Sequence, residues 1–302
     1  MMSALMSTRI ARQLVARQGR LPGAVSTRPQ GNLQLAFSSS GRRMMDADAL
    51  ITTRRSVERL APTLRFRIAG VTFEQRQERV ANLARGQALM LLHEPHNIYD
   101  KNAVAVRTMD GCDLGFVPRD ISAQLLSQAK QGISFARVLS TGQNTEEKWG
   151  TSIGTQPSLL SCALQPMPFP VPESAQDPGS RAMAKALTES QGTCEVTGMS
   201  QVVLTQALRP LPCWRYDFSK RTVEMVRLAV VCPQVITCME RLRKISGPNG
   251  EQEHNEAVDL ACNINGWERV DMEDHVSWFL DMEERMFMEK WSVVIPDEIN
   301  KF

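Results

Sequence analysis

The segment 86–119 places the strongest constraint on the fold. It holds an apolar run, a turn dense in Asn, Asp and Pro, a second apolar run, and a hairpin centred on Gly111. Short apolar runs bounded by turn residues are typical of β-strands. The segment therefore predicts a compact β module with strands at 88–93, 103–108 and 113–117.

The turn between the first two strands concentrates hydrogen-bonding side chains. Within nine residues it holds Glu94, His96, Asn97, Tyr99, Asp100, Lys101 and Asn102. Loops with this capacity on a strand scaffold are more often functional than merely connecting. We expect a binding site here, although Asp100 and Asn102 could simply cap the turn and Tyr99 could fill the barrel.

Patterns on either side extend the module. Residues 64–68 alternate apolar side chains with arginines, as a strand with one buried face does. The segment 74–85 has the spacing of an amphipathic helix, and a second helix is predicted at 118–130. With a closing strand at 135–140, these elements predict a small β-barrel over residues 64–140 in a chain of the α+β class.

Residues 1–45 have a composition of their own. They hold seven arginines, no lysine and no acidic residue, and they are rich in serine. Apolar residues recur every four positions, as on one stripe of an amphipathic helix: Met2, Met6, Ile10 and Leu14. This combination predicts a mitochondrial transit peptide that is removed from the mature protein, and the alternative is a disordered basic tail. Residues 46–63 are predicted to be a short charged connector.

The charge distribution excludes a protein surface that is basic throughout. Without residues 1–45 the net charge is about −5, and the acidic segment 251–302 alone contributes −10. Strong duplex binding depends on many phosphate contacts to Lys and Arg. A nucleic-acid site must therefore be local and lie within residues 46–250. The sequence also lacks the run of about 20 apolar residues that would predict a membrane span.

The segment 141–192 is predicted to be a Pro-rich linker. Five prolines between residues 165 and 178 favour extended polyproline-type backbone. A semi-rigid spacer is preferred over a docking peptide. A second α+β domain is predicted over residues 193–302, with helices at 233–244 and 272–290.

The chain contains seven cysteines, an odd number, and no secretory signal. This pattern fits a reduced compartment, so we infer no disulfide framework.

Three stretches in the first module resemble the HIRAN domain. They read AGVTF at 69–73, HEPHNIYDKNAVAV at 93–106 and LGFVPR at 114–119, in the order and spacing of that family. The resemblance covers residues 64–126. It implies a small β-barrel which, in certain DNA-repair helicases, grips the 3′ end of single-stranded DNA.

The chemistry of a strand end indicates what each residue would do. A free 3′ terminus offers a hydroxyl donor and a nearby phosphate, so a pocket needs an acceptor, amides, cations and a stacking ring. We expect Asp100 to accept the hydroxyl, and Asn97 and Asn102 to supply the amides. Tyr99 and Phe73 would supply stacking rings. The phosphate would be contacted by three cations: Arg76, Lys101 and Arg119. Thr72 and Glu74 stand where end-binding helicase members place Arg and Tyr, which implies weaker DNA binding. The same barrel could instead serve a protein interaction.

A second stretch is similar to HNH-type nuclease domains. The similarity covers CEVTG at 194–198 and the segment 211–243. Six residues of the nuclease pattern are kept: Cys194, Trp214, Tyr216, Asp217, Cys232 and Pro233. Other positions of the pattern are replaced. Thr197 and Val235 stand where the second cysteine of each Cys pair belongs. Leu211 and Pro212 take the place of the His-Glu pair, and Ile236 and Glu240 take the place of the last two histidines.

The replaced residues are the catalytic ones. HNH cleavage needs a histidine base and a metal held by side chains. The four histidines are His93, His96, His254 and His275, so none lies in the motif. We therefore expect a degenerate ββα scaffold without nuclease activity or cofactor. Four cysteines could still converge on zinc, although free thiols are preferred: Cys194, Cys213, Cys232 and Cys238.

Three functions are consistent with these features. The first is a non-catalytic mitochondrial protein that binds single-stranded DNA or RNA through the HIRAN-like barrel. The second is a structural subunit of a large mitochondrial assembly such as the mitochondrial ribosome, in which the acidic C-terminal helix meets protein partners. The third, an active nuclease, is disfavoured by the missing histidines.

Overall fold

The computed structural model describes residues 64–73, 75–128, 133–155, 160–167, 181–201, 204, 207–244 and 249–296. The predicted transit peptide at 1–45 and connector at 46–63 lie outside these ranges. All the described residues belong to one compact unit. The fold mixes helices with two sheets, which confirms the α+β class.

The first sheet is curled, six-stranded and antiparallel throughout. Its strands are β1 Arg65–Arg67, β2 Ala88–His93, β3 Val104–Thr108, β4 Asp113–Phe116, β5 Ile133–Gln143 and β6 Trp149–Thr155, in the order β1-β6-β5-β2-β3-β4. Two helices accompany it, α1 Arg76–Ala81 and α2 Arg119–Gln128. One antiparallel bridge joins Ala69, two residues after the edge strand β1, to Phe116 at the end of the other edge strand, β4. The sheet thus forms a half-barrel whose edges meet at one point.

Gly115 makes this meeting possible. Its φ of +141° lies in the region that favours glycine, and a Cβ placed there would approach the carbonyl oxygen of Ala69 to 2.3 Å. The Ala69 and Phe116 backbones exchange two hydrogen bonds of 2.8 and 2.9 Å. Glycine therefore lets the backbone after β1 lie directly against β4.

Strand β2 is buried on both faces. Leu89 and Leu91 point into the half-barrel core, whereas Met90 and Leu92 point outward into a second core shared with the C-terminal elements. A strand buried on both faces has a continuous run of apolar residues. This run explains why the strand at residues 88–93 was predicted correctly from the sequence.

The C-terminal part combines a three-stranded sheet with four helices. Strands β7 Arg209–Asp217 and β8 Thr222–Val231 form an antiparallel hairpin, and β9 Ser292–Val294 pairs with β8 in parallel. The helices are α3 Arg181–Glu189, α4 Pro233–Arg243, α5 Gly250–Asn265 and α6 Arg269–Met288. The order β7-β8-α4 is a ββα unit.

The segment predicted as a linker over 141–192 is structured wherever it is described. The end of β5 and all of β6 belong to the half-barrel sheet, and the polar residues between them form a hairpin turn. Residues 160–167 lie mostly buried in the shared core, and α3 buries Met183 and Ala186. The linker prediction is therefore wrong for these residues, because a polar hairpin turn has the same composition as a linker. Residues 156–159 and 168–180 lie outside the described ranges.

Polar contacts also join the half-barrel to the helices. The backbone N–H of Ala88 donates to Asp271 Oδ2 at 3.1 Å, and Arg137 donates to the carbonyl oxygen of Asn265 at 2.6 Å. Burial raises the pKa of Asp271, while the Ala88 N–H acts in the opposite direction. The two parts share core and hydrogen bonds, so they are not independent domains on a spacer.

An aromatic cluster fills this junction. The Phe135 ring of β5 lies 4.8 Å from Trp267 and 5.7 Å from His275, and Trp278 stacks on His275. His275 Nε2 donates to the carbonyl oxygen of Leu164 at 3.0 Å. Burial lowers the pKa of His275 to about 4, against a smaller opposing effect of that hydrogen bond. His275 is therefore neutral at neutral pH.

Within the described ranges, every helix is too short or too polar to cross a bilayer.

The Gly115 contact predicts a stability effect. Gly115→Ala forces a Cβ against the Ala69 carbonyl, so the unfolding free energy should fall by about 3 kcal/mol in urea denaturation. Gly142→Ala is the matched control, because no atom lies within 4 Å of that Cβ position in the same sheet. Equal stability of the two variants would contradict the proposed closure.

The neutral His275 predicts a pH effect. The unfolded chain takes up a proton below the ordinary pKa of 6.5, whereas the folded chain resists it down to about 4. Stability should therefore fall by about 3 kcal/mol as the pH drops through that window. Urea titrations of His275→Phe should lack this component; the same pH slope in both proteins would disprove the assignment.

Candidate nucleic-acid interface

The polar loop between β2 and β3, residues 94–102, is held by its own side chains. Asn97 Oδ1 accepts hydrogen bonds from the backbone N–H groups of Tyr99 (3.0 Å) and Asp100 (3.3 Å), and Asn97 Nδ2 donates to Glu94 Oε2 at 3.0 Å. Asx turns of this kind fix a loop without regular secondary structure. Asn97 thus organises the loop from within.

Asp100 forms the second turn and anchors a cation. Its Oδ1 accepts the backbone N–H of Asn102 at 2.9 Å, and its Oδ2 accepts Arg119 Nε at 2.9 Å. The Asn102 amide is the main cause of the lowered pKa of Asp100, followed by the Arg119 hydrogen bond. A carboxylate offers about four acceptor sites. Asp100 therefore caps the turn and still has acceptor capacity for a ligand hydroxyl.

Arg119, the first residue of α2, clamps the loop from the other side. Besides the bond to Asp100, its Nη2 donates to the carbonyl oxygen of Tyr99 at 2.9 Å. The side chain is 75% exposed. A guanidinium carries five N–H donors, so three remain for a phosphate after these two bonds.

The rings of the predicted site are at the surface. Tyr99 is 82% exposed and Phe73 is 64% exposed. Tyr99 therefore does not fill the barrel, which removes that alternative. Ile98, next to Tyr99, is 86% exposed and was not predicted as a site residue. Both exposed rings are available for base stacking, and Tyr99 is held on the loop that Asn97 organises.

The carboxyl end of β4 lies near Phe73 on one side and is followed by the arginine that contacts the loop. A Cβ on Gly70 would lie 4.0 Å from the Phe73 ring and 3.9 Å from the Phe116 ring. Phe116 ends β4, and the chain reaches Arg119 and the loop carbonyl of Tyr99 three residues later. Phe73 therefore lies near Phe116, and the backbone of Tyr99 lies within reach of Arg119, three residues after the end of β4.

Arg76 does not occupy the predicted position. It is 5% exposed, its guanidinium lies 5.4 Å over the Phe116 ring, and it donates to the carbonyl oxygen of Gly70 at 3.1 Å. Asp113 lies 3.7 Å from the same group. The expectation of a phosphate contact is wrong, because α1 directs this side chain inward as a brace beneath the site.

Lys101 and Asn102 complete the loop. The Lys101 side chain is exposed, and its carbonyl oxygen accepts His93 Nε2–H at 2.9 Å. Asn102 is half-buried and its N–H bonds to Asp100. Of the eight predicted residues, five lie in the loop 94–102 and Arg119 binds it, whereas Phe73 is exposed next to Gly70 and Arg76 is buried.

One contact of the loop could not be predicted from the sequence. His96 Nε2 lies 2.8 Å from Asp217 Oδ2 at the end of β7, so the loop touches the C-terminal part. The two residues are 121 positions apart, and no local pattern links them. Only the tertiary arrangement brings them together.

The cysteines form two close pairs instead of one cluster. Cys194 Sγ accepts the backbone N–H groups of Thr197 (3.4 Å) and Cys232 (3.3 Å), while Cys238 Sγ lies 3.7 Å from Cys162 Sγ. A hydrogen bond from the Cys232 side chain is the main cause that lowers the pKa of Cys194 to about 6, against the effect of burial. None of the seven cysteines forms a disulfide. Among the residues that the structure describes, no three His, Cys, Asp or Glu side chains are grouped to hold a metal.

Comparison with known proteins identifies the first module. Residues 63–156 match the HIRAN domain family. Two crystal structures are similar: a protein from Lactobacillus plantarum (22% identity, 32% of this chain, 96% of that chain, TM-score 0.26) and the HIRAN domain of human HLTF (16% identity, 31% of this chain, 72% of that chain, TM-score 0.24). No curated protein matches the chain. Residues 63–156 therefore form a HIRAN domain, which runs through β6 and beyond the predicted end at residue 140.

Proposed function

We propose that this protein is a non-catalytic mitochondrial nucleic-acid-binding protein whose HIRAN domain holds the end of a single DNA or RNA strand. The observation that carries the proposal is the loop 94–102, in which the exposed Tyr99 precedes Asp100 and both residues bind Arg119, Tyr99 through its carbonyl oxygen. The HIRAN family match favours nucleic-acid binding independently.

Each group then has a chemical role. Tyr99 and Phe73 stack on terminal bases, an interaction worth roughly 1–3 kcal/mol per base. Asp100, kept ionised by its lowered pKa, accepts the terminal hydroxyl, and Arg119 and Lys101 contact phosphate. Asn97 holds the loop in the binding shape, so little ordering is needed when the ligand arrives.

Mitochondrial localisation is supported by the composition of residues 1–45 alone. The non-catalytic assignment is supported by the ββα unit of the C-terminal part. There Leu211 and Pro212 occupy the positions of the nuclease His-Glu pair, and Cys194 and Cys232 each lack the second cysteine of a knuckle. We propose that this unit is a degenerate HNH-like scaffold.

A second candidate function is a structural subunit of a large mitochondrial assembly such as the mitochondrial ribosome. The observation that favours it is the end of α6, where Phe287 and Met288 are both largely exposed on an acidic helix. Exposed large apolar side chains of this kind suit a protein partner. Co-sedimentation with a megadalton particle in a sucrose gradient would support this function.

Binding of labelled oligonucleotides tests the leading proposal. Fluorescence anisotropy should show tighter binding of a 10-nucleotide strand with a free 3′ hydroxyl than of the same strand with a 3′ phosphate. Tyr99→Ala should weaken binding by about tenfold through lost stacking. Ile98→Ala is the matched control, because its side chain is equally exposed and next in sequence but has no ring. Equal affinity for free and blocked ends would exclude end binding.

The degenerate scaffold makes its own prediction. Thr197 and Val235 stand where the nuclease pattern has cysteines, so Thr197→Cys combined with Val235→Cys restores two Cys-x-x-Cys pairs. The double variant should retain one equivalent of zinc after dialysis, since tetrahedral zinc needs four such ligands. The unaltered protein should retain far less; one equivalent of zinc there would contradict the free-thiol assignment.

A further inference from the structure

The HIRAN loop and the C-terminal hairpin meet through a contact between His96 and Asp217. His96, in the loop 94–102, approaches Asp217 Oδ2 to 2.8 Å, and Asp217 ends β7. The Asp217 side chain is mostly shielded from solvent, whereas His96 is exposed. The turn between β7 and β8, residues 217–221, therefore lies against the loop proposed to bind nucleic acid.

The same carboxylate shapes the turn. Asp217 Oδ1 accepts the N–H and hydroxyl of Ser219 at 3.1 and 2.7 Å, and the N–H of Lys220 at 3.0 Å. Burial opposes ionisation, but these bonds and the charges of His96 and Lys220 outweigh it and lower the pKa of Asp217. The turn is thus a rigid feature with its backbone fixed by an ionised side chain.

The contacts of Asp217 place Lys220 close to the loop 94–102. Its Nζ lies 3.7 Å from Asp217 Oδ2, the oxygen that His96 Nε2 approaches to 2.8 Å. Because both nitrogens approach one oxygen, they are at most 6.5 Å apart. The exposed Lys220 ammonium is therefore a near neighbour of the loop that carries Tyr99 and Asp100.

The turn also displays a ring and a second cation. Phe218 is partly exposed and packs edge-on against Trp291, with ring centroids 5.4 Å apart. Arg221 is largely exposed and lies 3.6 Å from Glu289. A partly exposed ring beside cations is the combination found in single-strand binding sites.

We infer that the turn 217–221 is the second half of the nucleic-acid interface, with Lys220 neutralising a backbone phosphate of the strand whose end the HIRAN loop holds. The inference rests on the proposed function. It assigns to the C-terminal part a binding task, extending the site beyond the HIRAN domain.

The local charges agree with a phosphate ligand. Asp100 is paired with Arg119, Glu94 with Arg107, and Asp217 with both His96 and Lys220. Lys101 adds a positive charge on the loop itself. Arg107 also binds Asp113 at 2.8 Å, so these paired charges nearly balance, and Lys101 supplies the additional positive charge that suits a polyanion.

Charge removal at Lys220 tests the inference. Lys220→Ala should weaken binding of a 10-nucleotide strand by about three- to tenfold and reduce the slope of log affinity against log salt by about 0.7, the share of one phosphate. Lys148→Ala is the matched control, because Lys148 is an exposed lysine in another hairpin turn, paired with Glu146 at 2.8 Å. If both variants bind like the unaltered protein, the turn is not part of the interface.

A second variant tests whether Asp217 positions the turn or only contributes a negative charge near the ligand. Asp217→Ala removes both the acceptor that fixes the turn and the oxygen that contacts His96, and it leaves no amide that could bond to a neutral imidazole. If Asp217 holds the turn against the loop, the variant binds about threefold more weakly although it removes a negative charge. If Asp217 were only a nearby acid, binding would be unchanged or tighter, and the inference would be overturned. Thermal melting checks that the variant is folded.

The outcomes distinguish this inference from the proposed function. If the unaltered protein binds no single strand, the proposed function fails. If the unaltered protein binds and Tyr99→Ala behaves as expected while Lys220→Ala matches Lys148→Ala, only the inferred role of the turn fails.

Discussion

The burial of β2 on both faces is the constraint on which the rest of the structure depends. Its inward side chains close the HIRAN half-barrel, and its outward side chains form the core shared with the C-terminal helices. Because the loop 94–102 begins where β2 ends, the same burial places His96 beside Asp217. One strand thus fixes the fold, the junction and the position of the candidate site.

The candidate site is organised by side chains that a ligand would not need to move. Asn97 and Asp100 satisfy the loop backbone, and Arg119 ties that loop to the start of α2. This framework leaves the Tyr99 ring in solvent without leaving the backbone loose. Preorganisation of this kind reduces the entropy lost on binding, and it explains why so many polar residues are concentrated in one short loop.

Much of this was predictable from sequence, for identifiable reasons. Strand β2 and helices α4 and α6 follow apolar patterns that predicted their element type, and the HIRAN motifs located the loop. The β5–β6 hairpin was missed because its turn has linker composition, and Arg76 was misplaced because an α1 arginine can face either way. The His96–Asp217 contact depends on packing of the shared core, which no local pattern encodes.

Photo-crosslinking tests the central claim most directly, that the loop 94–102 holds a strand end. A single strand carrying a photoreactive base at its 3′ terminus should crosslink to peptides that contain Tyr99 or Phe73. The same base placed at the 5′ terminus of a 10-nucleotide strand should not reach them. Equal crosslinking of both termini, or crosslinks confined to other surfaces, would contradict the account.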